Sequence, residues 1–198
     1  MYNAPCTCNN ALPSPQLYAT TVLVLIHKGE TVIGADGQAT LGNTIIKNSV
    51  KKVRKLFDGK VLVGFAGSTA DAFTILERFD EKLRRYHGHV KQSAIELARD
   101  WRTDRMLKRL EAMLIVANQT ELLLISGMGD VLEPDHPIVA IGSGSMYARS
   151  AAMSLVKHAP HLTARQIVEE SLTVAADICI YTNHNFVFET LIHESQVQ

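Results

Sequence analysis

Thr20-Thr21-Val22-Leu23-Val24-Leu25-Ile26-His27-Lys28-Gly29-Glu30-Thr31-Val32-Ile33-Gly34-Ala35-Asp36-Gly37 is the stretch on which the fold turns. Thr21–Ile26 is β-branched and apolar and reads as a strand. Lys28-Gly29-Glu30 reads as a turn, Thr31–Ala35 as the returning strand, and Asp36-Gly37 as its end. A hairpin, not a strand–helix–strand unit, therefore opens the folded body.

Downstream the pattern repeats that choice. Lys52–Phe57 and Lys60–Phe65 flank Asp58-Gly59, where both central positions of a tight turn tolerate positive φ. After Gly67-Ser68, the residues Ala72, Phe73, Leu76, Phe79 and Leu83 recur at three- and four-residue steps and predict a helix with one apolar face. Ser68 is its expected N-cap, with Asp71 in the first turn. A second helix is expected from about Val90 to Lys108, burying Ala94, Leu97, Ala98 and Trp101. Strands follow at Ala112–Ala117, Glu121–Ser126, Asp130–Glu133 and Ile138–Ile141. Met146–His158 reads as a third helix. Thr163-Ala-Arg-Gln166 is a capping box that starts a fourth, running to about Ala176. Asp177–Thr182 and Val187–Ile192 read as final strands. The order is strands, two helices, strands, two helices, strands. Hairpins dominate, so the sheets should be largely antiparallel. Two such sheets packed face to face, with a helix pair on each outer face, give a four-layer α/β/β/α sandwich of the α+β class.

Composition bounds what this fold serves. The 198 residues hold 20 Lys+Arg against 20 Asp+Glu. That balance argues against nucleic acid, whose phosphates call for a basic excess. No run approaches the ~20 apolar residues of a membrane span, and the N-terminus lacks the marks of a secretory or mitochondrial signal. Residues 1–19 contain none of the forty charges, yet they hold Pro5, Pro13, Pro15, Cys6 and Cys8. They read as a leader, disordered or a propeptide, ahead of a single domain over 20–198. Cys6, Cys8 and Cys179 make no disulfide framework and no set of zinc ligands.

Local chemistry is ambiguous at each position taken singly. Gly142-Ser143-Gly144-Ser145 follows a strand and precedes a helix, as a phosphate loop would. Tyr147 stands where a third glycine belongs, so a tight turn is the simpler reading. Asp36 alone would be a turn residue. Lys52 alone would be one of a basic surface run with Lys51, Arg54 and Lys55. Thr20-Thr21 alone would be an ordinary strand start.

Taken together, the pieces carry a resemblance. Thr20-Thr21-Val22 precedes Gly34-Ala35-Asp36-Gly37-Gln38-Ala39-Thr40-Leu41-Gly42-Asn43, then Val50-Lys51-Lys52-Val53-Arg54-Lys55-Leu56 and Gly64-Phe65-Ala66-Gly67-Ser68. Asp100-Trp101-Arg102-Thr103-Asp104-Arg105, Ile141-Gly142-Ser143-Gly144 and Asp177-Ile178-Cys179-Ile180-Tyr181-Thr182-Asn183 follow in order. The series resembles the proteasome β-subunit family of N-terminal-nucleophile hydrolases, and within it the proteolytic subunits of the bacterial HslUV-type ATP-dependent proteases.

That resemblance implies a threonine endopeptidase whose mature chain begins at Thr20, with residues 1–19 removed by self-cleavage. A threonine hydroxyl needs a nearby base, and a free α-amine of pKa ~7.7–8.0 suits that duty. By the same resemblance Lys52 lowers the proton affinity of the groups around it and Asp36 orients lysine and threonine. Gly64 offers its N–H as an oxyanion donor, and Ser143 hydrogen-bonds around the terminal amine. Backbone carbonyls of Ala176, Cys179 and Thr182 would hold a monovalent cation, sodium, with no organic cofactor. The implied assembly is a homododecamer of two stacked hexamers in the bacterial cytoplasm, fed with unfolded proteins by an HslU ATPase ring. Three departures stand out: the leader is long for this family, and Ser68 and Ser145 replace common glycines. Two other readings compete, a catalytically silent assembly subunit of the same fold and a nucleotide-binding module built on Gly142–Ser145.

Overall fold

Successive side chains of the strand Thr21–His27 point to opposite faces, and over Thr21–Leu25 neither face meets water. Val22 and Val24 enter one core cluster while Leu23 and Leu25 enter another, all four fully buried. The strand is therefore interior on both sides, and layers must lie above and below it.

The computed structural model describes residues 17–18, 20–67, 69–104 and 112–193. Its elements run β1 (Leu17–Tyr18), β2 (Thr21–His27), β3 (Glu30–Ala35), β4 (Ala39–Leu41), β5 (Thr44–Lys47), β6 (Val53–Leu56) and β7 (Val61–Gly67). The helices α1 (Thr69–Arg85) and α2 (Val90–Thr103) come next. Then follow β8 (Ala112–Ala117), β9 (Leu122–Ile125), β10 (Val131–Leu132), β11 (Ile138–Gly142), α3 (Ser145–His158), α4 (Ala164–Ile178) and β12 (Val187–Ile192). One sheet has the order β11-β2-β3-β12 and another β10-β9-β8-β7-β6, with every pairing antiparallel.

Val22, Val24, Ile33 and Ala35 of the first sheet meet Val53, Leu62, Ala66 and Ile115 of the second in the central core. Val63, Phe65, Leu114 and Val116 face α1 and α2, packing on Phe79, Leu83, Leu97 and Trp101. Leu23, Leu25 and Val32 face α3 and α4, packing on Ala148, Ala152, Ile167, Val168 and Leu172. This is the four-layer sandwich expected from the element order. None of the described helices is long and apolar enough to cross a membrane.

Local signals held where they rest on hydrogen bonds. Thr163 and Gln166 form the reciprocal capping box at the start of α4. The turn joining β6 and β7 places Phe57, Asp58 and Gly59 at positive φ, and Lys60 N–H donates to the Phe57 carbonyl at 3.1 Å.

Three expectations need correction. The stretch Asp177–Thr182 is not a strand: α4 continues through Ile178, and Thr182 N–H then closes a turn on the Cys179 carbonyl at 3.0 Å. The second helix stops at Thr103 because Asp104 is extended, with φ −77° and ψ 124°; the rest of the expected helix, 105–108, lies outside the described residues. An unforeseen small sheet, β1-β4-β5, stands beside the sandwich. Its β1 belongs to the expected leader, pairing Leu17 with Leu41 and Tyr18 with Thr40. Residues 1–16 and 19, and the expected N-cap Ser68, lie outside the described residues.

Candidate active site

The antiparallel register carries the chemistry. β2 begins where β3 ends, so Thr20 and Thr21 arrive beside Asp36. Asp36 N–H donates to the Thr21 carbonyl at 3.1 Å, and Thr21 N–H donates back to Asp36 Oδ1 at 2.7 Å. The chain leading into β6 brings Lys52 to the same place, and Lys52 Nζ donates to Asp36 Oδ1 at 2.8 Å. Gln38 N–H and Asn183 N–H donate to Asp36 Oδ2 at 2.9 and 3.4 Å. The carboxylate thus takes four donors, as a wholly buried charge requires.

Asp36 is fully buried, Lys52 is 2% exposed and Thr20 is 4% exposed. Burial pushes the Lys52 ammonium below the usual lysine range, against the opposing pull of Asp36. A lysine so placed is a compact positive charge in a site of low dielectric, where its field on neighbouring groups is strong.

The β11–α3 turn closes the other side. Gly142 pairs with Thr21 at φ +92°, and a Cβ there would lie 1.9 Å from the Thr20 carbonyl oxygen. Gly144 N–H donates to Thr21 Oγ1 at 3.0 Å, and Thr21 Oγ1 shares a hydrogen bond with Thr182 Oγ1 at 2.8 Å. Ser143 sits between these glycines with its side chain open to solvent. The Gly-Ser-Gly turn therefore serves as a mould for the Thr20-Thr21 backbone.

Gly64 lies in the middle of β7, opposite Val53. A Cβ on it would stand 2.6 Å from Val22 Cγ1 and 2.7 Å from Ile33 Cδ1. Close packing of the two sheets thus accounts for this glycine on its own, and the expectation of an oxyanion donor fails here: Phe65 N–H points to β6, so Gly64 N–H points to β8 and is taken up in its pairing with Ile115. Ala176 lies in the last turn of α4, Cys179 caps that helix, and Thr182 is buried in the turn beyond it. Thr20, Asp36, Lys52 and the Gly142–Gly144 turn converge at one place, and Thr182 joins them through its hydroxyl.

Sequence reading passed over Thr21, Gly144 and Asn183 as contributors, and assigned Thr182 only a carbonyl. Small polar residues on strands and turns carry no local signal of their partners. The threonines meet across 161 positions. Their presence in the quoted segments was the one available clue.

Comparison with known proteins agrees with this geometry. The model of the proteasome subunit family matches residues 17–191. The ATP-dependent protease subunit HslV of Amoebophilus asiaticus is 69% identical over 176 residues, covering 89% of this chain and 98% of the relative. The HslV subunit of Cytophaga hutchinsonii is 68% identical over 177 residues, with the same coverage of both chains. The crystal structure of a eukaryotic HslV from Trypanosoma brucei superposes with a TM-score of 0.83 at 39% identity, covering 87% of this chain and 99% of that one. A four-layer fold that gathers Thr20, Asp36 and Lys52, matched along nearly its whole length by such relatives, places this chain in the proteasome subunit family, among the HslV proteins.

Proposed function

We propose that the chain is the threonine peptidase subunit of an ATP-dependent HslUV protease, and that its nucleophile is Thr20. The observation that carries this reading is the buried Asp36 carboxylate, which takes hydrogen bonds from both Lys52 and the Thr21 backbone next to Thr20. A threonine hydroxyl does not ionise near neutral pH, so a base must remove its proton. In the mature chain that base is the Thr20 α-amine. The Lys52 charge favours the neutral, proton-accepting form of the amine.

The amine exists only after the Ala19–Thr20 bond is cut. Thr20 Oγ1 attacks the Ala19 carbonyl carbon, the C–N bond breaks as the acyl group moves to oxygen, and water hydrolyses the resulting ester. The leader leaves as a carboxylate and Thr20 keeps its amine. The same sequence then runs on substrate: attack, an acyl-enzyme ester, and release by water activated at the amine. Ser143 is the candidate partner of the amine, whereas Gly64 N–H, held inside the β6-β7-β8 ladder, is not free to serve the oxyanion.

Sodium fits the Ala176, Cys179 and Thr182 carbonyls. Ala176 lies in the last turn of α4, where carbonyls outrun their helical donors and the dipole end favours a cation. The Cys179 carbonyl, which accepts from Thr182 N–H, keeps one lone pair for an ion. Bound there, the ion would hold the turn from which Thr182 reaches Thr21. The reading extends to a homododecamer in the cytoplasm, activated by an HslU ring that delivers unfolded chains.

Intact mass tests the core of it. The purified wild type is expected to lose residues 1–19, Thr20→Ala is expected to keep them, and peptide cleavage should require HslU and ATP. A wild type that retains its leader and cleaves nothing with HslU and ATP refutes the enzyme reading.

A further inference from the structure

Asn183 closes the Asp177–Asn183 segment. It lies where three loops meet: the loop after β3 that carries Asp36, the loop before β6 that carries Lys52, and the turn beyond α4. Its backbone N–H donates to Asp36 Oδ2 at 3.4 Å. Its side-chain Oδ1 accepts from Gly37 N–H at 3.0 Å and Asn185 N–H at 3.1 Å. Its Nδ2 donates to the backbone carbonyl and to Oδ1 of Asn48, both at 3.2 Å. The partners fix which end of the amide is which, since two N–H groups need the oxygen and a carbonyl needs the nitrogen.

The two loops it joins are already close. Val50 N–H donates to the Gly37 carbonyl at 2.9 Å, and a Cβ on Gly37 would lie 2.5 Å from the Asn48 carbonyl oxygen. Lys52 follows Val50 by two residues. The position of the Lys52 ammonium on Asp36 therefore depends on the seating of the Asn48–Val50 segment against Gly37. One side chain, with its acceptor end on one loop and its donor end on the other, bridges that seam.

We propose that Asn183 is a positioning residue for the Lys52–Asp36 pair: it clamps the two loops so that Lys52 stays out of water and its charge stays at the nucleophile. The effect on turnover rests on the peptidase reading above. The effect on the burial of Lys52 does not.

Two variants test it. Asn183→Leu removes both ends of the clamp. Asn183→Asp is nearly isosteric and keeps the acceptor, but it turns an oxygen toward the Asn48 carbonyl and adds negative charge beside Asp36. Circular dichroism and size-exclusion confirm folding, and Asn183→Asp decides the matter should Asn183→Leu not fold. The first readout is mass-spectrometric labelling of Lys52 by an amine-acylating reagent, with exposed Lys60 as internal reference. Lys52 should label several-fold faster in both variants than in wild type. The second is the acid limb of peptide turnover, which should move to higher pH as the Thr20 amine loses its neighbouring cation, further for Asn183→Asp than for Asn183→Leu. Turnover should fall roughly ten- to a hundredfold with KM little changed. An unchanged Lys52 labelling rate in a folded variant, or an unmoved acid limb, overturns the proposal. A wild type that cleaves nothing would count against the peptidase reading, and the labelling comparison would still decide the role of Asn183.

Discussion

Lys52 Nζ sits 2.8 Å from Asp36 Oδ1 with the two side chains 2% and 0% exposed. The pair is not symmetric. Asp36 has backbone donors at Thr21, Gln38 and Asn183 besides the lysine, whereas among the described residues the Lys52 ammonium donates to Asp36 alone. Asp36→Ala should therefore cost about 3–5 kcal/mol, the usual consequence of leaving a buried charge without its partner. Lys52→Met should cost clearly less, because the carboxylate keeps its backbone donors. Chemical denaturation of the two variants checks the order, and both should fail to process the leader. Equal losses of stability would contradict the asymmetry.

The sign of the Lys52 shift gives a pH dependence. Burial lowers its pKa from 10.5, and the pull of Asp36 only partly offsets this. Between the folded value and 10.5 the unfolded chain binds more protons than the folded one, so stability rises with pH there. The contribution is complete above the unfolded value and lost as pH falls through the folded one. Denaturation midpoints of wild type and Lys52→Met, followed from neutral pH to 10.5, should diverge in favour of wild type as pH rises. Parallel curves would mean that the lysine is as well solvated in the fold as out of it.

Gly144→Ala isolates the mould from the catalytic groups. Gly144 has φ −88°, a value open to any residue, so its backbone is not the obstacle. The added Cβ would lie 2.2 Å from Thr21 Oγ1 and 2.8 Å from Thr182 Oγ1. Relief must come from rotating the Thr21 and Thr182 side chains, which breaks their hydroxyl bridge, or from moving the β11–α3 turn. The expected result is a loss of about 1–3 kcal/mol, as for other overpacked sites, with processing slowed far more than that loss would suggest. Ser143→Ala is the steric control, and it should leave stability near wild type. Normal processing by Gly144→Ala would show that Thr20, the proposed nucleophile, tolerates a disturbed turn.

What could be read in advance follows from how each element is held. β2 and β3 announce themselves because burial selects apolar, β-branched residues along their whole length. α4 announces its start because the capping box is a contact between near neighbours. β5 gave no such sign: all four of its residues are exposed, and pairing with β4 makes it a strand. Ile178 and Ile180 invited a strand reading at the end of α4, yet they are 55% and 75% exposed, so their alternation reflects no buried face. At the site, Asp36 and Lys52 are 16 positions apart and Thr21 and Thr182 are 161 apart. Nothing in composition or period pairs them. The family's ordered motifs pointed to Thr20, Asp36 and Lys52, but said nothing of the hydroxyl bridge or the Asn183 clamp.

The strand β1 makes the last prediction. Leu17 and Tyr18 pair antiparallel with Leu41 and Thr40, immediately before the Ala19–Thr20 bond that the proposed self-cleavage must break. In an antiparallel ladder, opposed pairs alternate between those that exchange two hydrogen bonds and those that exchange none. One of these two pairs is therefore the bonded one, and replacing both residues with proline removes its N–H donor whichever it is. If this pairing aligns the scissile carbonyl with the Thr20 hydroxyl, the double variant Leu17→Pro/Tyr18→Pro should release its leader at least tenfold more slowly, a loss typical of a misplaced reacting group. The mature chain carries neither substitution, so once processed it should cleave peptides at the wild-type rate. A chain of residues 20–198, released from a cleavable fusion, supplies that reference. Time-resolved intact mass after dilution from denaturant reads the first step, and peptide turnover reads the second. Release at the wild-type rate would assign alignment to the Gly142–Gly144 mould alone.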